Sequence, residues 1–508
     1  MTADPDRSWG RRGAWGFALA LAGVALWRWF AAGSPPGGDW AQYLGHAWAL
    51  VQGRPYDDTG YLYTDLAWTV GPLRYPPGLP LTLAPLLAWL GPASEAPRLL
   101  MHAFLAGFLA ASAAWLARED EPLLAAAATG MAGLSLLIQD VPQVVGSDLG
   151  FCALAWGVIL LADRPGAWST GRILALATLG AGALLYRIAA APLLPALVWV
   201  AMARRREIGL RATLPLLLWT AALLVVLTRF GPGGAPADTM AAGSSGGGGR
   251  DLLATLEWVV RRLDSKLLRY RFAAFETWLY PFPVPLLNHA WHVAAIPLTA
   301  LGLAPWLWRR RASFGAAFLL GTLAMLAVLP VWQSRYLWVL APFLAWGLVR
   351  GLRDLLGRVG TPAPHTAGAR AALVVAVLMV GALVQTVREP RPRIDREEAT
   401  FAAVRDTLRA LPAEPPVRLA SNRPRKVAWY TGLPAMPIFD RELDVFVAEA
   451  TRQHLTHAVI TEAGTEPELL ARWDAWMRER PELFRPLGTV GPVRIYALEL
   501  PLNVPATP

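Results

Sequence analysis

Two aspartates and three arginines stand where apolar sequence begins or ends, and these types in that setting suit proton transfer and phosphate binding. Asp39, in Gly37-Gly38-Asp39-Trp40-Ala41-Gln42-Tyr43, is the first strongly polar residue after the first long apolar run. A carboxylate in a wet cavity at a membrane surface can act as general base towards a hydroxyl. An aspartate at that point equally suits the N-cap of the next helix. Asp148, in Val144-Val145-Gly146-Ser147-Asp148-Leu149, opens a later apolar run, where a carboxylate also complements a helix dipole. Arg187 interrupts Leu184-Leu185-Tyr186-Arg187-Ile188, Arg335 sits in Ser334-Arg335-Tyr336-Leu337, and Arg74 precedes Tyr75-Pro76-Pro77. Phosphate is a natural partner for a forked guanidinium; snorkelling to lipid head groups is the simpler use of each arginine alone. His289 and His292 share a helix face at i, i+3, but no third residue completes a metal site. Gly243 to Gly249 is Gly and Ser only and lacks the Lys-Ser/Thr ending of a phosphate loop.

The elements that must position these residues are long and apolar. Of 508 residues, 55% are hydrophobic and 17% charged, below the quarter or so of charged residues in soluble domains. Charges bunch between apolar runs, each about long enough to cross a hydrocarbon core of roughly 30 Å. Runs at 13–32, 98–117, 122–139, 149–163, 171–186, 188–203, 212–229, 286–308, 312–331, 336–352 and 371–388 predict a polytopic α-helical membrane protein with about eleven spans. The single cysteine, Cys152, lies inside one run and excludes an intrachain disulfide. The net charge of +10 comes from short clusters beside the runs, not from a nucleic-acid-binding patch.

Arg204-Arg205-Arg206, Arg309-Arg310-Arg311 and Arg350, Arg353, Arg358 and Arg370 fall on one side if the N-terminus is cytoplasmic, which leaves the C-terminus outside. Asp39, Asp148, Arg74, Arg187 and Arg335 then map to the outer face. The 24 tryptophans, mostly near run ends, suit an interfacial belt. Residues 33–97 form a long outer loop, and its apolar stretch from Tyr75 to Leu90 is short for a span and reads as an interfacial helix. Residues 231–285 join a Gly/Ser linker to an amphipathic basic helix near 251–275. Residues 389–508 have soluble composition and predict a small extracytoplasmic α/β domain. Its β-like runs are 417–421, 427–430, 458–461 and 493–498, and its helical runs 396–411, 442–454 and 466–480.

The order of these features resembles the C-type (GT-C) membrane glycosyltransferases. It is most similar to bacterial enzymes of the protein-mannosyltransferase and lipid A aminoarabinose-transferase type. The stretches that carry the resemblance are Asp39-Trp40-Ala41-Gln42-Tyr43, Gly53-Arg54-Pro55-Tyr56, Tyr75-Pro76-Pro77-Gly78-Leu79-Pro80, Ser147-Asp148, Leu185-Tyr186-Arg187 and Ser334-Arg335-Tyr336-Leu337. The resemblance implies a transmembrane catalytic domain over 14–388 and an appended domain over 389–508. It implies transfer of a sugar from a polyprenyl-phosphate donor to an acceptor hydroxyl on a glycan, lipid or protein. In that reading Asp39 and Asp148 are catalytic, and Tyr43, Arg74, Tyr75, Arg187, Arg335 and Tyr336 bind substrate. The family commonly has two adjacent acids, but Trp40 comes after Asp39 here, so no metal ligand is assigned and a divalent cation is left open as cofactor. The position before Pro-Pro, often Lys in the aminoarabinose branch, is Tyr75 here. A flippase for the same lipid carrier and a catalytically silent scaffold are the competing classes.

Overall fold

The computed structural model describes residues 38–64, 66, 71–92, 95–138, 145–230, 285–328, 334–358, 364–388, 396–411, 415–438, 442–462, 465 and 467–501. The first apolar run at 13–32 and the amphipathic helix expected at 251–275 lie outside the described residues. In chain order the longer helices are α1 (Asp39–Val51), α2 (Gly78–Leu90), α3 (Ala96–Glu119), α4 (Pro122–Ile138), α5 (Ser147–Ala162) and α6 (Thr170–Tyr186). They continue with α7 (Leu193–Ala203), α8 (Thr213–Phe230), α9 (Pro285–Arg309), α10 (Phe314–Val328), α11 (Ala341–Arg358) and α12 (Pro364–Arg388). The C-terminal helices are α13 (Arg396–Arg409), α14 (Pro424–Thr431), α15 (Leu443–Arg452) and α16 (Pro467–Glu479). The strands are β1 (Leu419–Ser421), β2 (Ala435–Pro437), β3 (His457–Thr461), β4 (Phe484–Val490) and β5 (Val493–Leu498). Two compact units result, one from 98–229 and 285–388, the other from 38–97 and 396–501.

The first unit is helical. Each of the ten described apolar runs contains a helix, α3 to α12. Among the described residues, Ala96–Glu119 and Leu210–Arg229 have the length and apolar composition to cross a bilayer. Leu373, Val377 and Val380 on α12, and Leu217 and Leu224 on α8, are each more than half exposed at helical spacing. Such stripes are unfavourable against water and natural against lipid. Between helices small residues allow close approach. A Cβ on Gly302 of α9 would lie 1.9 Å from the Gly347 carbonyl of α11, and one on Gly351 1.9 Å from the Leu298 carbonyl. Gly347 and Gly351 are four apart, the spacing by which apolar helices bring their backbones together.

The tryptophan belt expected from run ends is only partly present. Trp89 and Trp308 are exposed, but Trp115, Trp156, Trp306 and Trp346 are buried together with Phe343. Three of these indoles donate to carboxylates at helix ends: Trp306 to Glu119, Trp346 to Asp120 and Trp115 to Asp163, each at 3.0 Å. The same acids hold cations. Glu119 meets Arg310 at 3.1 Å, and Asp120 meets Arg350 and Arg353 at 3.4 and 3.2 Å. Asp163 accepts from the backbone N–H groups of Phe314 and Gly315, capping α10. Buried indole N–H groups need acceptors, and these acids supply them.

The second unit is built on a five-stranded mixed sheet in the order β2-β1-β3-β5-β4. β1 runs parallel to β2 and β3, while β5 runs antiparallel to β3 and β4. Residues from the loop near 60 add to its edge. Tyr61 bridges Ala435, Leu62 N–H donates to the Ala435 carbonyl at 2.9 Å, and Ala435 N–H donates to the Gly60 carbonyl at 2.8 Å. Leu62 and Leu66 pack on the core formed by α15, α16 and the sheet. The segment 427–430, expected as a strand, is helical in α14. Pro424 starts α14 at its first turn and Gly432, at φ 69°, ends it in the left-handed region. Those two residues are helix signals that outweigh the β-branched character of Val427.

Candidate active site

The eight site residues expected from sequence fall into two clusters, one in each unit, with the side chain of Arg74 outside the described residues. Arg74 itself ends a 3-10 turn, Pro72–Arg74, that leads into Tyr75.

In the second unit, Asp39 is the first residue of α1, after Gly38. Asp39, Gln42, Tyr43 and His46 recur at helical spacing, so α1 turns one polar face inward. The Tyr75 hydroxyl donates to Asp39 Oδ1 at 3.0 Å, and Arg425 Nη1 of α14 donates to the same oxygen at 2.6 Å. The Asp39 side chain nevertheless keeps 37% exposure, open enough for a reacting hydroxyl. Tyr43 meets Tyr75 edge-on with ring centroids 5.0 Å apart, and Tyr56 donates to the Tyr75 carbonyl at 2.7 Å. Burial raises the Tyr75 phenol well above its ordinary value, and Asp39 and Tyr43 add to that against the opposing Arg425 charge. Tyr75 is therefore a hydrogen-bond donor at any ordinary pH. Burial works against the Arg425 charge, but Tyr75, Asp39 and Tyr61 outweigh it and hold the guanidinium above its usual range.

His46 supports this face from beneath. Its ring stacks on Tyr56 with centroids 4.2 Å apart, and its Nδ1 donates to the Tyr56 carbonyl at 2.5 Å. A carbonyl only accepts, which puts the proton on Nδ1 and leaves Nε2 to accept from Gln42 at 3.3 Å. Burial pushes the His46 imidazole down from 6.5 to about 4, with the Tyr56 carbonyl and Asp57 opposing. A depressed histidine binds its proton more readily when unfolded. Its contribution is thus fully present above pH 6.5 and is lost as pH falls towards and through about 4. That difference corresponds to about 3 kcal/mol. Thermal unfolding between pH 7.5 and 4.5 should show the wild type losing stability on acidification and His46→Gln losing clearly less. Parallel curves would remove His46 as the cause.

In the first unit, Asp148 lies in the first turn of α5 and is 6% exposed. Arg187 ends α6 with extended backbone (φ −156°, ψ 138°) and forms an ion pair with Asp148 Oδ1. Arg335 Nη1 lies 3.9 Å from Asp148 Oδ2. The Arg187 guanidinium sits over the Tyr336 ring, 5.2 Å from its centroid. Close packing fixes the group: a Cβ on Gly150 would fall 2.1 Å from the Tyr186 ring, so α5 and α6 meet where Arg187 leaves the helix. Trp156 donates to the Val339 carbonyl at 2.8 Å, tying α5 to the 3-10 turn Ser334–Leu340 that carries Arg335 and Tyr336. The cluster is one buried acid presenting two guanidiniums, Arg335 with 32% of its side chain exposed.

No family model matches the chain, and no curated protein matches it. Solved structures do. ArnT from Cupriavidus metallidurans in the apo state is similar with a TM-score of 0.53 at 13% identity, covering 96% of this chain and 99% of that one. The same protein bound to undecaprenyl phosphate gives 0.52 at 13% identity over the same shares. An Archaeoglobus fulgidus oligosaccharyltransferase, tethered with an acceptor peptide containing the NVT sequon, gives 0.53 at 12% identity, covering 98% of this chain and 75% of that one. The fold is that of the GT-C membrane glycosyltransferases.

Tyr75, the residue before Pro76-Pro77, turns its hydroxyl onto Asp39. Trp40, where the resemblance expected a second acid, is 3% exposed and packs edge-on against Tyr430. Trp40 offers no oxygen donor, and Asp39 already shares Oδ1 with a guanidinium. A hard divalent cation needs several oxygen ligands, and the described residues around Asp39 do not fit one. Among the described residues no three His, Cys, Asp or Glu side chains form a group that could hold a metal ion. His289 and His292 fall in α9, their side chains outside the described residues. Sequence reasoning missed Arg425, which is 386 positions from Asp39. It also missed His46, although the i, i+4, i+7 pattern from Asp39 through Tyr43 was a usable signal.

Proposed function

We propose that this chain is an inverting glycosyltransferase of the cytoplasmic membrane. It moves a sugar from a polyprenyl-phosphate donor to an acceptor hydroxyl on a glycan, lipid or protein at the outer face. The observation that carries this reading is Asp39: a carboxylate oriented by a phenol and a guanidinium, partly open, in a chain with the GT-C fold. Asp39 takes the acceptor's proton as its oxygen attacks the anomeric carbon, and the bond from that carbon to the carrier phosphate breaks. The departing polyprenyl phosphate carries the charge, and Arg187 and Arg335 are guanidiniums of the kind that suit a phosphate. Asp148 orients those two guanidiniums, and Tyr336 backs Arg187. Tyr43 and Tyr75 shape the acceptor side around Asp39. The solved ArnT with undecaprenyl phosphate supports the donor class.

The basic clusters support a cytoplasmic N-terminus and an outer 389–508, with about eleven spans between. Helix α2, thirteen residues long with Leu81 and Trp89 exposed, suits a place along the outer surface. The test is purified protein in proteoliposomes with radiolabelled mannose or aminoarabinose on undecaprenyl phosphate. Transfer of label to an added membrane acceptor is expected. Label crossing the bilayer still joined to the carrier would replace the enzyme with a flippase.

A further inference from the structure

We propose that Arg425 is a positioning residue for Asp39, so that the polypeptide after residue 396 completes the catalytic base. The proposal rests on the reading of Asp39 as general base and adds a residue that no motif in the first half of the chain contains. Three observations carry it. The Arg425–Asp39 bond is short, at 2.6 Å, and converges with the Tyr75 hydroxyl on a single carboxylate oxygen. That geometry sets the plane of the carboxyl group, as two donors on one oxygen restrict its rotation.

Arg425 is itself held. Its side chain is 15% exposed, and its guanidinium lies over the rings of Tyr61 and Tyr75, 5.5 Å from each centroid. Both rings are buried, at 4% and 5% exposure, so the cation has a fixed aromatic seat. The helix carrying it is fixed as well. Tyr430 of α14 meets Trp40 edge-on at 5.6 Å and stacks on Phe401 of α13 at 5.4 Å. Tyr61, one of the two seats, is the residue that bridges Ala435 at the sheet edge. The chemistry rests on charge. A guanidinium beside a carboxylate favours its ionised form, the form able to accept a proton, and holds it in one orientation for the attacking hydroxyl.

A plain structural staple between α14 and α1 would use the same contacts, so the test must separate the two roles. Membranes from cells lacking the protein hold its own donor and acceptor unreacted. Purified variants are added back, and mass spectrometry measures the initial rate of glycan formation against pH. For Arg425→Gln the rate is expected to fall at least about tenfold, the scale of one charge-assisted hydrogen bond. Its acid limb should move to higher pH. Arg425→Lys should retain more rate than Arg425→Gln, and added guanidinium ion should restore part of the rate of Arg425→Ala. Asp39→Asn is run beside them. If Asp39→Asn is inactive while Arg425→Gln keeps the wild-type rate and pH profile, the Arg425 role is wrong and the base reading stands. Loss in Arg425→Ala with no guanidinium rescue and an unmoved pH profile leaves only the staple and overturns the proposal. Near-normal turnover by Asp39→Asn removes the base, and Arg425's role with it.

Discussion

Asp39→Asn should lower sugar transfer by about 10²- to 10⁴-fold, the usual contribution of a positioned general base. The amide is nearly isosteric and can still accept from the Tyr75 hydroxyl, so the face of α1 keeps its packing. It cannot take a proton at neutral pH. The loss should therefore appear in kcat, with little change in KM for the lipid donor, because the interaction removed is made at the transition state. Arg425 retains its seat on Tyr61 and Tyr75 in the variant, which limits the structural cost. Folded yield and unfolding temperature close to the wild type, together with lost turnover, are the expected result. Turnover within a few fold of the wild type would take Asp39 out of the reaction.

The second large effect concerns Asp148 and Arg187, whose side chains are 9% and 12% exposed. Removing one partner of a buried ion pair leaves a charge without compensation, which costs about 3–5 kcal/mol. Asp148→Asn should be the worse single change, since it takes the carboxylate from both Arg187 and Arg335. Arg187→Gln leaves Asp148 with Arg335 at 3.9 Å as its remaining cation. The double variant Asp148→Asn/Arg187→Gln removes both charges and should regain much of the stability lost by either single change. On the proposed reading it should not regain transfer, because the guanidinium assigned to the donor phosphate is lost in the double variant too. Thermal unfolding in detergent, with transfer measured on the same preparations, reads both quantities. A double variant as unstable as the sum of the singles would show that the pair is not coupled. A double variant that transfers normally would free Arg187 from the donor phosphate.

Much of the helical unit was legible because the signal is one-dimensional. A helix that faces lipid must be apolar over its length, so composition alone marks it, and helices lie at each of the ten described apolar runs. Asp39, Asp148, Arg187 and Arg335 stood out for the related reason that a charge beside an apolar run is costly and so conspicuous. The short strands β2 and β4 were not legible, as β2 has three residues and β4 is mostly exposed. Which tryptophans are buried was hidden too. Trp115 lies near a run end like Trp308, yet it finds a carboxylate partner across helices while Trp308 is exposed.

By itself the sequence determined the apolar, helix-forming runs between residues 98 and 388, the soluble composition of residues 389–508 and the candidate charges. Residue type and local spacing suffice for these, because solvent preference acts on each segment separately. Only the tertiary structure decided which charges meet. It brought Arg425 to Asp39 across 386 positions and placed Arg187 and Arg335 on one buried acid. It also joined the loop around Tyr61 to the sheet of the C-terminal segment. Ion pairs and sheet edges form between segments remote in the chain, and their partners are chosen by the packing of everything between them.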